Sequence, residues 1–499
     1  MSDLVSRLAT HWTTPDAIAI QTREGEISYA AFARQIDCAA AALRDMGVGT
    51  GDRVALALPK SLAGFVLFLG VLRNGSVAVA MNPTLPPDTL ARMVQASDPR
   101  LLIHDVDQEP PPGVTCPVAS LGANGRGSWP VAVQAADPTQ APQVTLDDQA
   151  PALILFTSGT TGTPKGVLHS VGGLSHNAQA LSQTWAMSPQ DVVLHVLPTV
   201  HAHGLLILPL PTLMAGGRIL WMDGFDPRAV LAAMRQATCF MGVPFHYRQL
   251  LDSRGFDPAD LAGMRLFVSG SAPLSVALEQ EFANRTGHHI AQRYGMTESL
   301  IITANQPGAA REGSVGQALP GLDLRIVDPD TRARLPTGEV GEIEIAGPSV
   351  FSTYVNAPQA MAQAFGPSGG FRTGDLAAVD ADGFVWLRGR ARDLIIYCGM
   401  NVYPGDVEAA LEQLPQVVEA CVYGIPQDQT GEAVMAAVVL QPGASADPAQ
   451  LRRALIGRLA PYQLPKRVRV AEQIPRNTMG KPDRNALRAA ESEGVQPKT

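Results

Sequence analysis

The stretch A-L-I-L-F-T-S-G-T-T-G-T-P-K-G, residues 152–166, decides the fold, because it joins an apolar strand pattern directly to a loop of glycines and hydroxyl residues. Glycines permit close approach of the backbone to a bound anion, hydroxyl groups donate hydrogen bonds, and a lysine adds a positive charge. The residues expected to contact phosphate in this way are Thr157, Ser158, Gly159, Thr160, Thr161, Gly162 and Lys165. The loop is not a Walker A motif, which requires G-x-x-x-x-G-K-[ST]. We interpret it as a phosphate-binding loop rather than as a surface turn.

Strand and helix patterns alternate on both sides of this loop. Helices are predicted at residues 29–46 and 62–72, and strands at 54–58 and 77–80. Such alternation favours layered α/β structure with largely parallel sheets. Residues 107–148 are rich in proline, glycine and alanine, so we predict a surface excursion that holds at most one short strand.

A second, smaller unit is predicted to begin at residue 389, where a fresh pattern of strands and helices starts. Its predicted elements are helices at 405–414 and 448–459 and strands at 417–424 and 434–440. The predicted fold class is α/β, with a large N-terminal domain (1–388) of layered α/β subdomains and a small β-barrel-like part. A small, mobile α+β C-terminal domain (389–499) follows.

Length and composition are those of a folded, multidomain protein. The 499 residues are 46% hydrophobic and 17% charged, and the formal net charge is −8, which argues against nucleic acid and anionic membranes as partners. The longest apolar runs fall short of the ~20 residues that cross a bilayer, and the start lacks a signal-peptide profile. Five cysteines occur without C-x-x-C spacing. We therefore predict a cytoplasmic protein with reduced thiols.

Six further motifs follow the loop in chain order. They are H-A-H-G (201–204), S-G-S-A-P (269–273), Q-R-Y-G-M-T-E-S (292–299), F-R-T-G-D (371–375), G-R-A-R-D (389–393) and P-R-N-T-M-G-K (475–481). The spacing of His201 and His203 suits a strand; a zinc site is the alternative interpretation, but no cysteine or acidic ligand lies nearby in the sequence. With the loop, this set resembles the adenylate-forming superfamily of acyl-CoA synthetases, peptide-synthetase adenylation domains and firefly-type luciferases. The resemblance covers essentially the whole chain.

The resemblance implies roles for the residues at the nucleotide. Tyr294 would stack on adenine, and Asp375 would accept hydrogen bonds from both ribose hydroxyls. Arg390 would approach the ribose and the phosphates. The implied adenine-contacting turn comprises Gly270, Ser271, Ala272 and Pro273.

The resemblance also implies roles at the reacting groups. Thr297 would bind the α-phosphate, and Glu298, with Thr160 from the loop, would hold Mg²⁺. His201 would lie beside the reacting carboxylate, and Lys481 would contact both that carboxylate and the α-phosphate. Thr297, Glu298, His201 and Lys481 are therefore the candidate catalytic residues.

The implied reaction has two halves. A carboxylate attacks the α-phosphorus of MgATP to give an acyl-AMP and pyrophosphate, and the thiol of coenzyme A then attacks the acyl-AMP. Between them the C-terminal domain would rotate about Arg392, replacing Lys481 with the loop at Gly399, past which pantetheine slides. ATP, Mg²⁺ and coenzyme A are thus the implied cofactors.

Arg293, immediately before Tyr294, bears on the choice of acid. Beside a fatty or aryl acid it would be a costly unpaired cation, whereas it would bind the distal carboxylate of a short diacid. The stretches around the motifs look like those of malonyl-CoA synthetases, in which a further arginine follows G-V-P. Here Gln249 takes that register and Arg248 precedes it, a rotation of about 100° on a helix. Arg248 is the candidate second contact, and an ion pair with a carboxylate is the alternative role of Arg293.

Three hypotheses compete at this point. The first is a CoA ligase for malonate or a methylmalonate-type acid. The second is a ligase for another short, aryl or β-substituted acid, including one that loads a carrier protein. The third is a nucleotide-binding protein without ligase activity. The sequence indicates no oligomeric state.

Overall fold

The computed structural model describes residues 3–157, 164–427, 431–476 and 482–492. Several predicted site residues lie outside these ranges, namely Ser158, Gly159, Thr160, Thr161, Gly162 and Lys481. Their implied roles stay predictions.

The strands of the described residues are β1 (Ile18–Gln21), β2 (Glu26–Ser28), β3 (Arg53–Ala57), β4 (Val77–Met81), β5 (Leu101–His104), β6 (Val118–Ser120), β7 (Pro151–Thr157), β8 (Lys165–Ser170), β9 (Val192–His195), β10 (Arg218–Trp221), β11 (Cys239–Gly242), β12 (Leu266–Ser269), β13 (Ile290–Met296), β14 (Leu300–Ala304), β15 (Gln317–Ala318), β16 (Asp323–Val327), β17 (Gly341–Ala346), β18 (Thr353–Val355), β19 (Phe371–Val379), β20 (Val385–Arg390), β21 (Ile395–Tyr397), β22 (Met400–Val402), β23 (Val417–Gln427), β24 (Gly431–Leu440) and β25 (Arg467–Val470).

The helices are α1 (Leu4–Ala9), α2 (Tyr29–Asp45), α3 (Leu62–Arg73), α4 (Pro87–Ser97), α5 (Ser128–Ala135), α6 (Val171–Thr184), α7 (Pro209–Met214), α8 (Pro227–Met234), α9 (Pro244–Leu251), α10 (Val276–Thr286), α11 (Pro358–Ala364), α12 (Pro404–Glu412), α13 (Pro448–Ala454) and α14 (Arg484–Ser492). In the described part of the chain, none of them is long and apolar enough to cross a bilayer.

Two large sheets dominate the N-terminal part. The nine-stranded sheet has the order β15-β14-β13-β12-β11-β9-β10-β1-β2, and the seven-stranded sheet has the order β18-β8-β7-β4-β3-β5-β6. The central pairings of both sheets are parallel, as the alternating sequence pattern predicts. Since the carboxyl ends of neighbouring parallel strands meet at one edge, segments that follow β9, β11 and β12 converge.

One apolar core joins the two sheets. Helices α2 and α3 pack closely at Gly70 of α3, since this residue has no side chain. A Cβ at Gly70 would overlap Ala39 of α2. Ser61 caps the first turn of α3. Farther along the helix, Phe65 contacts Trp221 of β10 with ring centroids 5.7 Å apart. The start of α3 therefore reaches from the seven-stranded layer to the nine-stranded sheet.

Two antiparallel sheets complete the fold. The order β16-β17-β19-β20 occupies the region predicted as barrel-like, and the last sheet has the order β22-β21-β24-β23, with β25 parallel to β24. Arg388 of β20 pairs with Asp406 of α12 at 3.2 Å. Asp393, just beyond β20, lies 3.7 Å from Arg484 and 3.8 Å from Arg488 on α14. Ion pairs thus surround the predicted hinge.

Two sequence-based expectations are wrong. Residues 107–148 hold not only the short strand β6 but also α5, whose Trp129 is buried. With little besides this tryptophan buried, the helix leaves only a weak periodic signal. The strand expected at the histidine pair is instead a turn that enters a π-helical segment, His203–Ile207. Gly204 permits this π-helical segment, because it has no side chain. A Cβ at this position would overlap the Pro198 carbonyl group.

Candidate active site

The structure brings three of the predicted nucleotide residues together. Tyr294 on β13 is buried, and its hydroxyl donates to Asp375 Oδ2 at 2.6 Å. Arg390 Nε lies 2.9 Å from Asp375 Oδ1. The register of β19 and β20 sets this pair, because Asp375 and Arg390 are direct partners across the ladder. The arrangement presents a ring face, a carboxylate and a guanidinium in one cleft, a set that suits a nucleoside phosphate.

Glu298 lies in the same cleft, with its carboxylate almost wholly buried. Its Oε1 accepts a hydrogen bond from the Tyr354 hydroxyl at 2.9 Å, and it makes no ion pair with a described lysine or arginine. Burial raises the pKa of Glu298, while Tyr354 and, less strongly, the Arg390 charge oppose that rise. A buried carboxylate without a cationic partner fits a hard divalent cation, so these residues fit the Mg²⁺ that the fold family implies.

Lys165 lies over the ring of Tyr354, the residue that hydrogen-bonds to Glu298. Its Nζ lies 5.6 Å from the centroid of the Tyr354 ring, whose hydroxyl bonds to Glu298. Lys165 begins β8 and pairs with Thr157 at the end of β7. The paired residues at the two ends of the glycine-rich loop therefore lie on the side of Tyr354, the hydrogen-bond partner of the predicted metal ligand.

His169 fixes the turn that carries Thr297. Its Nε2 lies 2.7 Å from the Thr297 carbonyl oxygen, and since a carbonyl only accepts, Nε2 carries the proton. Burial lowers the pKa of His169 to about 4, so the ring is neutral near pH 7. Leu300, just beyond the turn, has φ of 58°, a left-handed conformation that few side chains adopt. The backbone of this turn is thus held in one conformation by a buried hydrogen bond and a left-handed residue.

Arg293 points away from Tyr294, because successive side chains on a strand face opposite sides. The Arg293 side chain is buried against Gly270, and its Nη2 lies 3.2 Å from the Ser271 hydroxyl oxygen. Its Nε is buried without a hydrogen-bond partner, and the guanidinium makes no ion pair among the described residues. The expected alternative, an ion pair with a neighbouring carboxylate, is therefore absent from the described ranges. Burial lowers the pKa of Arg293 to about 10, so it is charged near pH 7.

Histidines line the space next to Arg293. His203 is buried, and neither ring nitrogen has a hydrogen-bond partner in the described residues. Burial, then the charge of Arg293, lower the pKa of His203 far below its ordinary value. His246 of α9 stacks on Phe225 at 4.2 Å between ring centroids, and burial lowers its pKa to about 4. The His201 side chain is more exposed to solvent, but partial desolvation by the surrounding residues lowers its pKa as well.

Arg248, the predicted second arginine, does not join this pocket. Its Nη1 lies 2.8 Å from Glu281 of α10 and 3.7 Å from Asp252, and all three side chains are partly exposed. The rotation of about 100° between neighbouring helical positions turns it toward α10. The prediction that Arg248 contacts the acid is therefore wrong. Of the two arginines predicted for the acid, Arg293 is the one that lies in the pocket.

The other predicted residues lie around the cleft. Ser271, Ala272 and Pro273 form an exposed turn after β12, and Ser271 has φ of 69°. Arg392 is exposed in a short helical turn, Ala391–Asp393. Gly399, with φ of 77°, is exposed at the tip of the β21–β22 hairpin, a conformation that suits glycine. The structure does not bring Gly399 into contact with the nucleotide residues described above.

Sequence reasoning missed Tyr354, His169 and the pair Lys60–His195 described below. Tyr354 lies 56 residues from Glu298, and no motif links them. Lys60 did carry a signal, because a lysine between a buried strand and a buried helix needs a polar partner.

Replacing Gly270 by alanine tests whether the turn admits the arginine. The new Cβ would overlap Arg293 Nε and Cζ, so the guanidinium has to move. We expect KM for the acid to rise about tenfold to a hundredfold in an assay of acid-dependent pyrophosphate release. Gly255→Ala, where a Cβ meets nothing within 4 Å, is the matched control. An unchanged acid KM would place Arg293 outside the acid site.

Comparison with known proteins identifies this architecture. Residues 9–355 match the AMP-binding enzymes, and residues 406–481 match the AMP-binding enzyme C-terminal domain. This chain belongs to the AMP-binding enzyme family. The fold of this AMP-binding enzyme agrees with that of ATP-bound MatB from Rhodopseudomonas palustris, with a TM-score of 0.95 and 38% identity over 99% of this chain and 100% of that one. For apo MatB, at the same identity and coverage, the TM-score is 0.87.

Curated relatives of the AMP-binding enzyme activate different acids. A sulfoacetate–CoA ligase of Cupriavidus necator is 32% identical over 98% of this chain and 97% of its own length. A malonate–CoA ligase of Arabidopsis thaliana is 31% identical over 88% of this chain and 78% of its own length. The AMP-binding enzyme is thus an AMP-forming acid–CoA ligase that uses ATP, Mg²⁺ and coenzyme A. The hypothesis of a nucleotide-binding protein without ligase activity is set aside.

Proposed function

We propose that this ligase activates a short acid with a second anionic group, with malonate (or methylmalonate) converted to malonyl-CoA (or methylmalonyl-CoA). The proposal rests mainly on Arg293, whose guanidinium group is buried and has no carboxylate partner among the described residues. Burying an unpaired charge is costly, so a site that keeps one has a use for it. The distal carboxylate of a diacid supplies the missing partner through a charge-assisted hydrogen bond.

The neighbours of Arg293 support the same assignment. Ser271 offers a hydroxyl, and His203 offers a neutral ring whose two nitrogens are unpaired among the described residues. A neutral imidazole donates one hydrogen bond without adding a second buried charge. A fatty or aryl acid would leave Arg293 Nε and the His203 ring nitrogens without that partner.

The chain's own residues then have distinct parts in the first half-reaction. Tyr294, Asp375 and Arg390 bind and orient the nucleoside, Glu298 with Thr160 holds the cation, and Thr297 contacts the α-phosphate. When bound, Mg²⁺ neutralises charge on the triphosphate. Holding the acid by its far end orients the near carboxylate, beside His201, for in-line attack on the α-phosphorus.

We assign the second half-reaction to movement of residues 389–499 as a lid about Arg392. In this proposal Lys481 serves adenylation, and the Gly399 hairpin replaces it when the thiol attacks. Coenzyme A is the acceptor, and the thiol of a carrier protein is the alternative.

A second acid, sulfoacetate, fits the same arrangement of charges. Arg248 is bound to Glu281 rather than to the pocket, so the described residues offer a distal anion one arginine. A sulfonate can pair with that arginine as well as a carboxylate can. Both acids carry their second anion one carbon from the reacting carboxyl group.

A substrate panel tests the proposal. Malonate, methylmalonate, sulfoacetate, acetate, butyrate and benzoate are compared by kcat/KM in CoA-dependent AMP formation. We expect the acids with a distal anion to exceed butyrate and benzoate by about 10²-fold or more. Equal or faster turnover of butyrate or benzoate would refute the assignment, and a carrier protein in place of CoA decides the acceptor.

A further inference from the structure

A half-buried lysine and a buried histidine connect the two large sheets. Lys60 lies between β3 and α3, and His195 ends β9. Lys60 Nζ lies 2.9 Å from His195 Nδ1 and donates to the His195 backbone oxygen, also at 2.9 Å. Nζ is 4.9 Å from the centroid of the Trp221 ring, which stacks on His195. Neither Lys60 nor His195 belongs to the residues that we assign to ATP or the acid.

The hydrogen bonds fix the proton of His195 on one nitrogen. Its Nε2 lies 2.8 Å from the Gly204 carbonyl oxygen, which only accepts, so Nε2 carries the proton. Nδ1 is then the acceptor that receives an N–H from Lys60. Burial, followed by the Lys60 charge, lowers the pKa of His195 to about 3, so the ring stays neutral. The order Lys60 to His195 to Gly204 is therefore a directed chain of donors.

Gly204 is the point where this chain reaches the acid pocket. It follows His203 in the π-helical segment, and its Cα is confined against the Pro198 carbonyl. His203 lies close enough to Arg293 for that charge to lower its pKa further, after burial does. The bond to the Gly204 oxygen thus fixes the Gly204–Leu205 peptide, one residue after His203.

We propose that Lys60 is a positioning residue of the acid pocket, holding His195 in the tautomer that binds Gly204 and so fixing the wall formed by His201 and His203. The inference rests on the pocket assigned under the proposed function, but not on which acid occupies it. Lys60 acts through another side chain and does not touch the substrate. Its loss therefore affects acid binding and spares ATP binding, which uses Tyr294 and Asp375.

The surroundings of Lys60 explain how an amine serves there. Burial lowers the pKa of Lys60 to about 7, and the charge of Asp223 opposes that fall. Both the ammonium and the amine carry N–H bonds, so either form donates to Nδ1. The aromatic face of Trp221 favours the cation.

The first experiment separates acid binding from ATP binding. In Lys60→Met, which keeps the chain length and removes the donor, KM for whichever panel acid is best should rise about tenfold, the usual effect of losing a buried hydrogen bond. KM for ATP should change less than about twofold, and melting temperature reports folding. Lys466→Met, on an exposed lysine, is the matched control.

The second experiment reads the tautomer. In ¹⁵N-histidine spectra, with His195 assigned by loss of its signals in His195→Gln, the wild type should hold the proton on Nε2 alone, and Lys60→Met should populate both nitrogens. His195→Gln, whose amide N–H can still reach the Gly204 oxygen, should keep most acid affinity, while His195→Leu should resemble Lys60→Met.

Two results would overturn the inference: an unchanged acid KM in Lys60→Met, or equal loss in His195→Gln and His195→Leu. If the panel shows no preference for a distal anion, the proposed function fails, yet the Lys60 effect on the best acid still decides this inference separately.

Discussion

Replacing Arg293 by methionine is expected to lower kcat/KM for malonate by about 10³-fold. The distal carboxylate would then be buried against an apolar side chain, and truncating one partner of a buried charge pair commonly costs about 2–5 kcal/mol. Most of the change should appear in KM if the arginine binds ground state and transition state alike. Butyrate, which we expect the native site to reject, should be turned over about tenfold faster by the variant than by the native enzyme.

Two comparisons make the Arg293 result specific. Arg248→Met removes an arginine whose guanidinium is bound to Glu281, and it should leave malonate kinetics within about twofold, as surface substitutions do. Melting temperature should not fall in Arg293→Met, because burial disfavours the charged form that the native site retains. If Arg293→Met kept full malonate activity, the diacid assignment would be wrong.

Replacing Glu298 by glutamine is the second change with a large expected effect. The substitution keeps the shape and removes the charge that fits Mg²⁺, so we expect kcat for adenylation to fall by about 10²- to 10³-fold, comparable to the loss of one preorganised electrostatic contact. Excess Mg²⁺ should restore part of the rate. Pyrophosphate release at a series of Mg²⁺ concentrations measures both effects.

The pH dependence of Glu298 has a definite sign. Burial raises its pKa, so its protonated form extends to higher pH than for an ordinary carboxyl group. A protonated carboxyl group binds no cation, and the Mg²⁺ needed for half-maximal rate should rise as pH falls through that raised pKa. This pH dependence should vanish in Glu298→Gln and persist in Glu339→Gln, an exposed control.

The same pKa shift predicts the effect on stability. A carboxyl group whose pKa is higher in the folded than in the unfolded state favours folding at low pH, and this contribution is lost as pH rises through the folded pKa. Ionising Glu298 in the folded state thus costs stability. Glu298→Gln should leave the melting temperature equal or higher, which separates a chemical defect from unfolding. A lower melting temperature with an unchanged Mg²⁺ requirement would contradict the assignment.

The contiguous motifs were the part of the site that sequence reasoning could reach. Tyr294 and Glu298 lie on one short segment, and the ladder partners Asp375 and Arg390 are separated by one hairpin. Contacts between distant segments were out of reach, as for Tyr354 with Glu298 and for Lys60 with His195. One-dimensional spacing carries no information about which side chains meet across packed sheets.

The prediction that Arg248 contacts the acid was wrong for a different reason. The sequence placed it one position from the expected register, and only the packing of α9 against α10 decides which way that position faces. The fold class was predictable because alternating strands and helices are a long-range pattern. Helix α5 is not predictable in this way, since it packs against α2 with Trp129 as its buried residue and has no regular apolar face.

The ion pair between Arg388 and Asp406 has a consequence for solution work. It connects β20 to α12 across the proposed domain boundary, and each side chain is about a third exposed to solvent. Dissolved salt screens such an attraction, with a Debye length near 10 Å at 0.1 M. Higher ionic strength therefore weakens this one contact between the two predicted domains. If the C-terminal unit moves as proposed, rates collected in buffers of different conductivity describe different mixtures of orientations, and a fixed salt concentration is part of defining the enzyme.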